Sequence, residues 1–135
     1  MRLLVRLLPL ALAACRSAPP KPAEWAVVTR FEPPTLAAGA PVASAPILAS
    51  PGLSLHAVTA AGPIRPHYHA RHEETVYVVA GRARMRIGDA WHDIGPGSIV
   101  HVPVGVLHAV EPSEPCYVLS IFAPPFDGED RVFVD

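Results

Sequence analysis

Cysteine is scarce in this sequence, and charge of either sign is not concentrated anywhere along it. The 135 residues include two cysteines, Cys15 and Cys116, which could form at most one disulfide. Eleven lysines and arginines nearly balance twelve aspartates and glutamates, and there is no basic run or basic helical stripe. The sequence therefore gives no support to nucleic-acid binding.

Uninterrupted stretches that could form long helices are also missing. Seventeen prolines and nine glycines break up the chain, and both residue types disfavour helix interiors. The chain length favours one domain, since it is enough for one hydrophobic core but leaves no room for a second.

The first fifteen residues have the layout of a bacterial secretory signal. Arg2 and Arg6 supply positive charge, and an apolar stretch follows that is too short to stay as a spanning helix. Residues 12–15, Leu-Ala-Ala-Cys, resemble a lipobox, which implies cleavage before Cys15 and acylation of that cysteine. The alternatives are an ordinary secretory signal with a chance cysteine, or a cytoplasmic protein with an apolar start.

A proline-rich stretch follows and predicts a tether. Residues 16–22 read RSAPPKP, a composition that extends as a semi-rigid spacer. We therefore expect a signal peptide at residues 1–14, a tether at 15–24 and a folded domain at 25–135. The lipoprotein would be exported and held at the membrane by its lipid anchor alone. The expected site is the periplasmic side, at the outer membrane in a cell that has two membranes.

From residue 25 onward the pattern is that of short strands and close-set turns, which predicts an all-β sandwich or barrel. Residues 82–87 read RARMRI, and a period of two puts the arginines on one face and the apolar residues toward a core. The predicted strands are Trp25–Phe31, Leu53–Thr59, Thr75–Ala80, Arg82–Ile87, Ala90–Ile94, Ser98–Val102, Leu107–Glu111, Cys116–Phe122 and Val132–Val134. Residues 32–52 are assigned no strand.

Three of the seven histidines cluster in residues 66–74, PHYHARHEE. On a strand, His67 and His69 point to the same side, ~6.6 Å apart along the backbone, so both rings can converge on one ion. The apolar residues at 76, 78 and 80 share parity with Glu74, which should therefore face inward and leave Glu73 in solvent. His108, beyond a Gly-Pro-Gly turn, could supply a fourth ligand.

These residues resemble the two sequence motifs of the cupin superfamily. The first motif is matched by Gly62, His67, His69, Glu74 and Gly81. The second motif is matched by Gly97, Pro103, Gly105 and His108. Gly62 stands one residue nearer the first histidine than is usual, and Pro112 replaces the asparagine that often ends the second motif.

The resemblance implies a cupin double-stranded β-helix, or jelly-roll barrel, that usually forms a homodimer. It also implies one metal ion inside the barrel, bound by His67, His69, Glu74 and His108. Three imidazoles and a carboxylate suit a divalent transition ion such as Fe, Mn, Ni, Cu or Zn. The alternative is four polar side chains that pair with one another, at a heavy desolvation cost.

Other polar residues have weaker assignments. Arg65 shares strand parity with the two clustered histidines and could clamp a substrate carboxylate, although a surface or rim position is commoner for arginine. His72 is expected in solvent. Single histidines in strands usually have structural roles, and these are His56, His92 and His101.

The expected function is a metal-dependent enzyme that acts on a small polar molecule, of the dioxygenase, isomerase or decarboxylase type found among similar cupins. The alternative is a membrane-tethered module that binds or senses a small ligand without turnover. A general acid or base near the open metal positions would favour the enzyme. A barrel lined only by apolar residues and the metal ligands would favour the binding module.

Replacing Cys15 tests the lipoprotein hypothesis. Acyl chains on Cys15 contribute roughly 0.8 kcal/mol per buried CH₂, so Cys15→Ser should release the protein from the membrane fraction or leave the precursor uncleaved. Membrane fractionation and intact-mass measurement in the native host check this, with Cys116→Ala as the control that keeps the attachment. An unmodified Cys15 with residues 1–14 still attached would contradict the hypothesis.

Overall fold

The computed structural model describes residues 29–134, which form ten β-strands. The strands are β1 Val42–Ala49, β2 Ser54–Ala60, β3 Ile64–Tyr68, β4 Glu73–Ala80, β5 Ala83–Ile87, β6 Ala90–Ile94, β7 Ile99–Val102, β8 His108–Pro112, β9 Cys116–Ala123 and β10 Val132–Phe133. Within these residues there is no helix of the length and hydropathy that a membrane crossing requires. The predicted signal peptide at 1–14 and tether at 15–24 lie outside the described residues.

The strands form two five-stranded antiparallel sheets. The first has the order β1-β2-β9-β4-β7, and the second has the order β10-β3-β8-β5-β6. One core cluster joins them, since Val76 and Val78 of the first sheet pack with Ala83 and Met85 of the second. The predicted all-β jelly-roll class is confirmed.

Strand periodicity gives the correct inner face for β5 and most of β4. Ala83 and Met85 are buried, while Arg84 lies outside and pairs with Glu111 at 2.6 Å. On β4, the predicted inward position of Ala80 is wrong. The register with β9 shifts between Val78 and Ala80, and Ala80 is exposed.

Strand β1 is absent from the sequence prediction, which assigned no strand to residues 32–52. Its sequence, VASAPILA, shows no alternation of polar and apolar residues. The strand is fixed by pairing instead, because it runs antiparallel to β2 from Val42 to Ala49, with a register shift after Pro46. Most of the predicted strand Trp25–Phe31 lies outside the described residues, and residues 29–31 are not in a strand.

Gly81 links β4 to β5 where no other residue would fit. Its φ is +81°, and a Cβ built on it would lie 2.1 Å from the Pro115 carbonyl oxygen and 2.7 Å from the Cys116 Cα. Both neighbours are backbone at the start of β9, so neither can move aside without disturbing that strand. Gly97 has a similar φ of +88° but open space where its Cβ would stand.

Alanine substitutions at Gly81 and Gly97 distinguish the cost of steric overlap from the cost of backbone strain. We expect Gly97→Ala to lower the free energy of unfolding by about 1–3 kcal/mol, because a side chain at positive φ is strained. Gly81→Ala should cost clearly more, because the same strain is joined by overlap with β9. Chemical denaturation of both variants measures the difference, and equal losses would contradict the role assigned to Gly81.

Candidate metal centre in the barrel

Three buried histidines from the second sheet and its flanking loop face one another. His67 on β3 is paired across the sheet with His108, the first residue of β8, and His69 follows the end of β3. One ring nitrogen from each lies within 4.8 Å of the others. The prediction that these histidines converge is therefore confirmed, and the three could hold a metal ion.

Backbone carbonyl groups fix the orientation of each ring. The Nδ1 atom of His67 donates to the Arg65 carbonyl oxygen at 2.8 Å, and that of His108 donates to Val106 at 3.0 Å. The Nδ1 atom of His69 donates to the carbonyl oxygen of Asp130. Because a carbonyl can only accept, Nδ1 carries the proton in each neutral ring and Nε2 keeps its lone pair.

The inward nitrogen atoms are buried and unpaired. The Nε2 atoms of His69 and His108 have no hydrogen-bond partner within residues 29–134. A buried polar atom without a hydrogen-bond partner is rare, and the capacity to bind an ion is one explanation for it. Imidazoles whose second nitrogen is held by a carbonyl are the usual form of histidine ligands, so the donor set fits a metal ion.

Glu74 faces the same point from the opposite sheet. It is buried on β4, and its Oε2 atom lies 3.6 Å from His69 Nε2 and 3.4 Å from His108 Nε2. Burial alone would raise the pKa of Glu74, but the nearby His108, His69 and Ser120 outweigh it and lower the pKa. Glu73 is exposed, as the parity of β4 predicts.

The electrostatic setting differs among the histidines. Burial, with a smaller contribution from His108, lowers the pKa of His67 to about 4, so this ring is neutral at neutral pH. Burial would also lower the pKa of His69, but Glu74 and the Asp130 carbonyl outweigh it and raise the pKa. A metal ion at this point would compete with that proton for the His69 nitrogen.

Asp130 holds the loop that carries His69. Its carboxylate accepts hydrogen bonds from the backbone N–H groups of Ala70 at 2.9 Å, Arg71 at 2.7 Å and His72 at 3.1 Å, and from His72 Nδ1 at 2.6 Å. Burial would raise the pKa of Asp130, but these donors, His72 first, hold it at about 2. Nothing in the sequence pattern points to Asp130.

The prediction that His72 lies in solvent is wrong. Its side chain is buried, and Nε2 lies 3.1 Å from the Pro125 carbonyl oxygen. The segment around Phe126 covers this loop, and the His72 ring packs edge-on against Phe126 at 5.5 Å. The residues that cover His72 lie more than fifty positions away in the sequence, so the local pattern of residues 66–74 could not predict its burial.

A cavity of about 410 Å³ lies beside the histidines and is lined by residues from both sheets. His67, Glu74 and His108 line it, and most of the remaining wall is apolar. Its other polar or charged lining residues are Ser44, His56, Ser120, Asp127 and Arg131. Burial lowers the pKa of His56, whose Nε2 lies 3.1 Å from the Ser54 hydroxyl.

Arg65 is not among the residues that line this cavity. A register irregularity between Ile64 and His67 turns both of those side chains toward the cavity, and Arg65 is exposed. Its guanidinium lies 4.6 Å from the centre of the Phe133 ring. The structure therefore matches the rim or surface position that is commoner for arginine, and not the reach into the barrel mouth that a carboxylate clamp requires.

Three other residues with open roles can be placed. His92 and His101 are exposed, and His101 Nδ1 lies 3.0 Å from the Thr75 hydroxyl. Cys116 is buried and lines the cavity, and burial raises the pKa of its thiol.

Comparison with known proteins supports one family. Residues 55–122 match the family model described as Cupin domain. An L-ectoine synthase of Rhodococcus opacus (strain B4) is 32% identical over 82 residues, which are 58% of this chain and 62% of that protein. The chain spans about 60% of the length of the curated relatives it matches.

Two solved structures show the same fold. KdgF from Halomonas sp. has a TM-score of 0.62 and 24% identity, over 64% of this chain and 82% of that one. Ectoine synthase from P. lautus has a TM-score of 0.61 and 20% identity, over 70% of this chain and 76% of that one.

Asp130→Asn tests whether this residue positions His69. An amide offers one acceptor where the carboxylate offers two, so a buried N–H loses its partner, at about 1–3 kcal/mol in the free energy of unfolding. We also expect a loss of about 10–100-fold in metal affinity, as is typical of groups that orient a ligand. Chemical denaturation and metal titration against a chelator measure the two effects.

Asp127→Asn is the matched control for Asp130→Asn. Asp127 lies in the same segment, but it is exposed and contacts Arg71 and the backbone N–H of Glu129. If both variants bind metal equally well, the Asp130 carboxylate does not position the site.

Proposed function

The chain belongs to the cupin domain family, and on that basis we propose that it is a metalloenzyme that acts on a small molecule. One observation carries the proposal. The buried Nε2 atoms of His69 and His108 have no hydrogen-bond partner in the described part of the chain. His108 lines a cavity of about 410 Å³ together with His67 and Glu74, and the His69 ring lies next to them. Nitrogen atoms with free lone pairs next to an open cavity suit the binding of an ion that a substrate can reach.

We propose that His67, His69, Glu74 and His108 together bind one divalent transition ion, of Fe, Mn, Ni, Cu or Zn. The three rings are held by carbonyl groups, and the carboxylate comes from the facing sheet. Such an ion supplies a Lewis acid or redox centre to a molecule in the cavity.

The wall of the cavity favours an enzyme over a pure binding module. It contains groups that can move or hold a proton, above all His56, and the hydroxyl of Ser120 beside Glu74. His56 is a general-base candidate because burial lowers its pKa and keeps the ring neutral. The sequence similarity to a protein named L-ectoine synthase supports the proposal of an enzyme that acts on a small molecule. The reaction class is one of the dioxygenase, isomerase or decarboxylase types.

The second candidate is a tethered module that binds a small ligand without turnover. It is favoured by the apolar majority of the cavity wall, which includes Val58, Val118 and Phe122. Export as a lipoprotein through Cys15 and assembly as a homodimer complete the proposal. Fractionation tests the lipid anchor, and the mass of the mature protein in solution tests the homodimer.

Glu74 and Glu73 form a matched pair that tests the metal site. Glu74→Gln should weaken metal binding by more than the roughly 10–100-fold typical of a group one step from the metal, because it removes a ligand. Glu73→Gln removes the same charge from an exposed neighbour and should leave binding unchanged. Elemental analysis of protein purified without chelators, followed by metal titration, measures both.

A substrate screen on the same proteins separates the two candidate functions. We expect turnover of a small molecule by the metal-loaded wild type and by Glu73→Gln, and none by the chelated protein or by Glu74→Gln. Metal-dependent ligand binding without any turnover would favour the binding module. If no metal is retained and none of the five ions raises the melting temperature, the metalloenzyme proposal is wrong.

A further inference from the structure

Arg131 lies at the wall of the cavity with its backbone fixed on both sides. The preceding residue, Asp130, is held by the loop at Ala70 to His72, and the following residue, Val132, pairs with Tyr68 across β10 and β3. Arg131 is itself exposed, and it lines the cavity that His67, Glu74 and His108 also line.

Among the residues that the structure describes, no other lysine or arginine lines this cavity. No hydrogen bond or ion pair of the Arg131 guanidinium occurs within residues 29–134, although two carboxylates line the same cavity. Asp127 is engaged by Arg71, and Glu74 faces His69 and His108. Both carboxylates of the wall therefore have cationic or histidine partners of their own, which leaves the Arg131 guanidinium to bind an anionic occupant.

The rest of the wall restricts the kind of anion. The side chains between the two sheets are largely aliphatic or aromatic and offer few donors to a strongly hydrated group such as free phosphate. A single arginine presents a planar fork that fits one carboxylate bidentately. A small organic acid, with an apolar chain of a few carbons and one carboxylate, would complement both the apolar wall and the arginine.

We infer that Arg131 is a specificity-determining residue that binds the carboxylate of a small organic acid, whose apolar body lies in the barrel cavity. That this acid is the substrate rests on the proposed function; the binding of the anion does not. The inference replaces Arg65 as the candidate for a carboxylate clamp.

The test compares carboxylates with their neutral amides. Calorimetric titration of butanoate, hexanoate and octanoate, each against its amide, gives a preference ratio for the full mature chain, with and without bound metal. Arg131→Gln and Arg131→Met are two neutral variants, so that loss of fold in one does not decide the result. Arg65→Gln is the matched control, because it removes the same charge from an arginine that does not line the cavity.

We expect the wild type to prefer the best carboxylate by about 10–100-fold, the range of a charge-assisted hydrogen bond. The preference should fall to about one in both Arg131 variants and persist in Arg65→Gln, while metal content and melting temperature stay near wild type.

The inference is overturned if no carboxylate binds more tightly than its amide, if the Arg131 variants keep the preference, or if Arg65→Gln loses it. Failure of the proposed function is distinguishable, because the preference of the metal-free protein and its dependence on Arg131 can hold even if no metal binds. Conversely, normal metal binding without any carboxylate preference removes the inference alone.

Discussion

The bond from each histidine Nδ1 to a backbone carbonyl is the constraint on which the site depends. Without it, the buried rings of His67, His69 and His108 could rotate, change tautomer or pair with Glu74. With it, the ring plane, the tautomer and the direction of the free lone pair are set by the course of the main chain. Because the main chain holds these three carbonyl oxygens in place, it also holds the three rings in place.

The two sheets contribute different chemistry to this point. The second sheet and its adjoining loop bring the nitrogen donors, while the first sheet brings the carboxylate of Glu74. The core cluster that includes Val76 and Met85 sets the distance between the sheets. Packing of ordinary apolar residues therefore decides whether the carboxylate stands within reach of the rings, so a poorly packed core would disturb the site without altering any of its residues.

Local periodicity explains what could be predicted from the sequence and what could not. The period of two is enough to place Glu74 inside and Glu73 outside, and the motif spacing brings the three histidines together. The same rule misplaces Arg65, because the irregularity in β3 reverses the side on which it lies. Asp130 and the burial of His72 depend on contacts between segments nearly sixty residues apart, and strand β1 depends on a partner strand. No local pattern carries such information.

The bond between the ring of His69 and the carbonyl group of Asp130 spans 61 residues. This separation means that the bond that orients the His69 ring cannot form until the ribosome has added residue 130. A nascent chain at that stage can already contain all three histidines and Glu74, but it lacks the group that holds one of the rings. Metal binding at the proposed site would therefore follow synthesis of nearly the entire barrel, since loop closure over this distance is slow compared with local contacts.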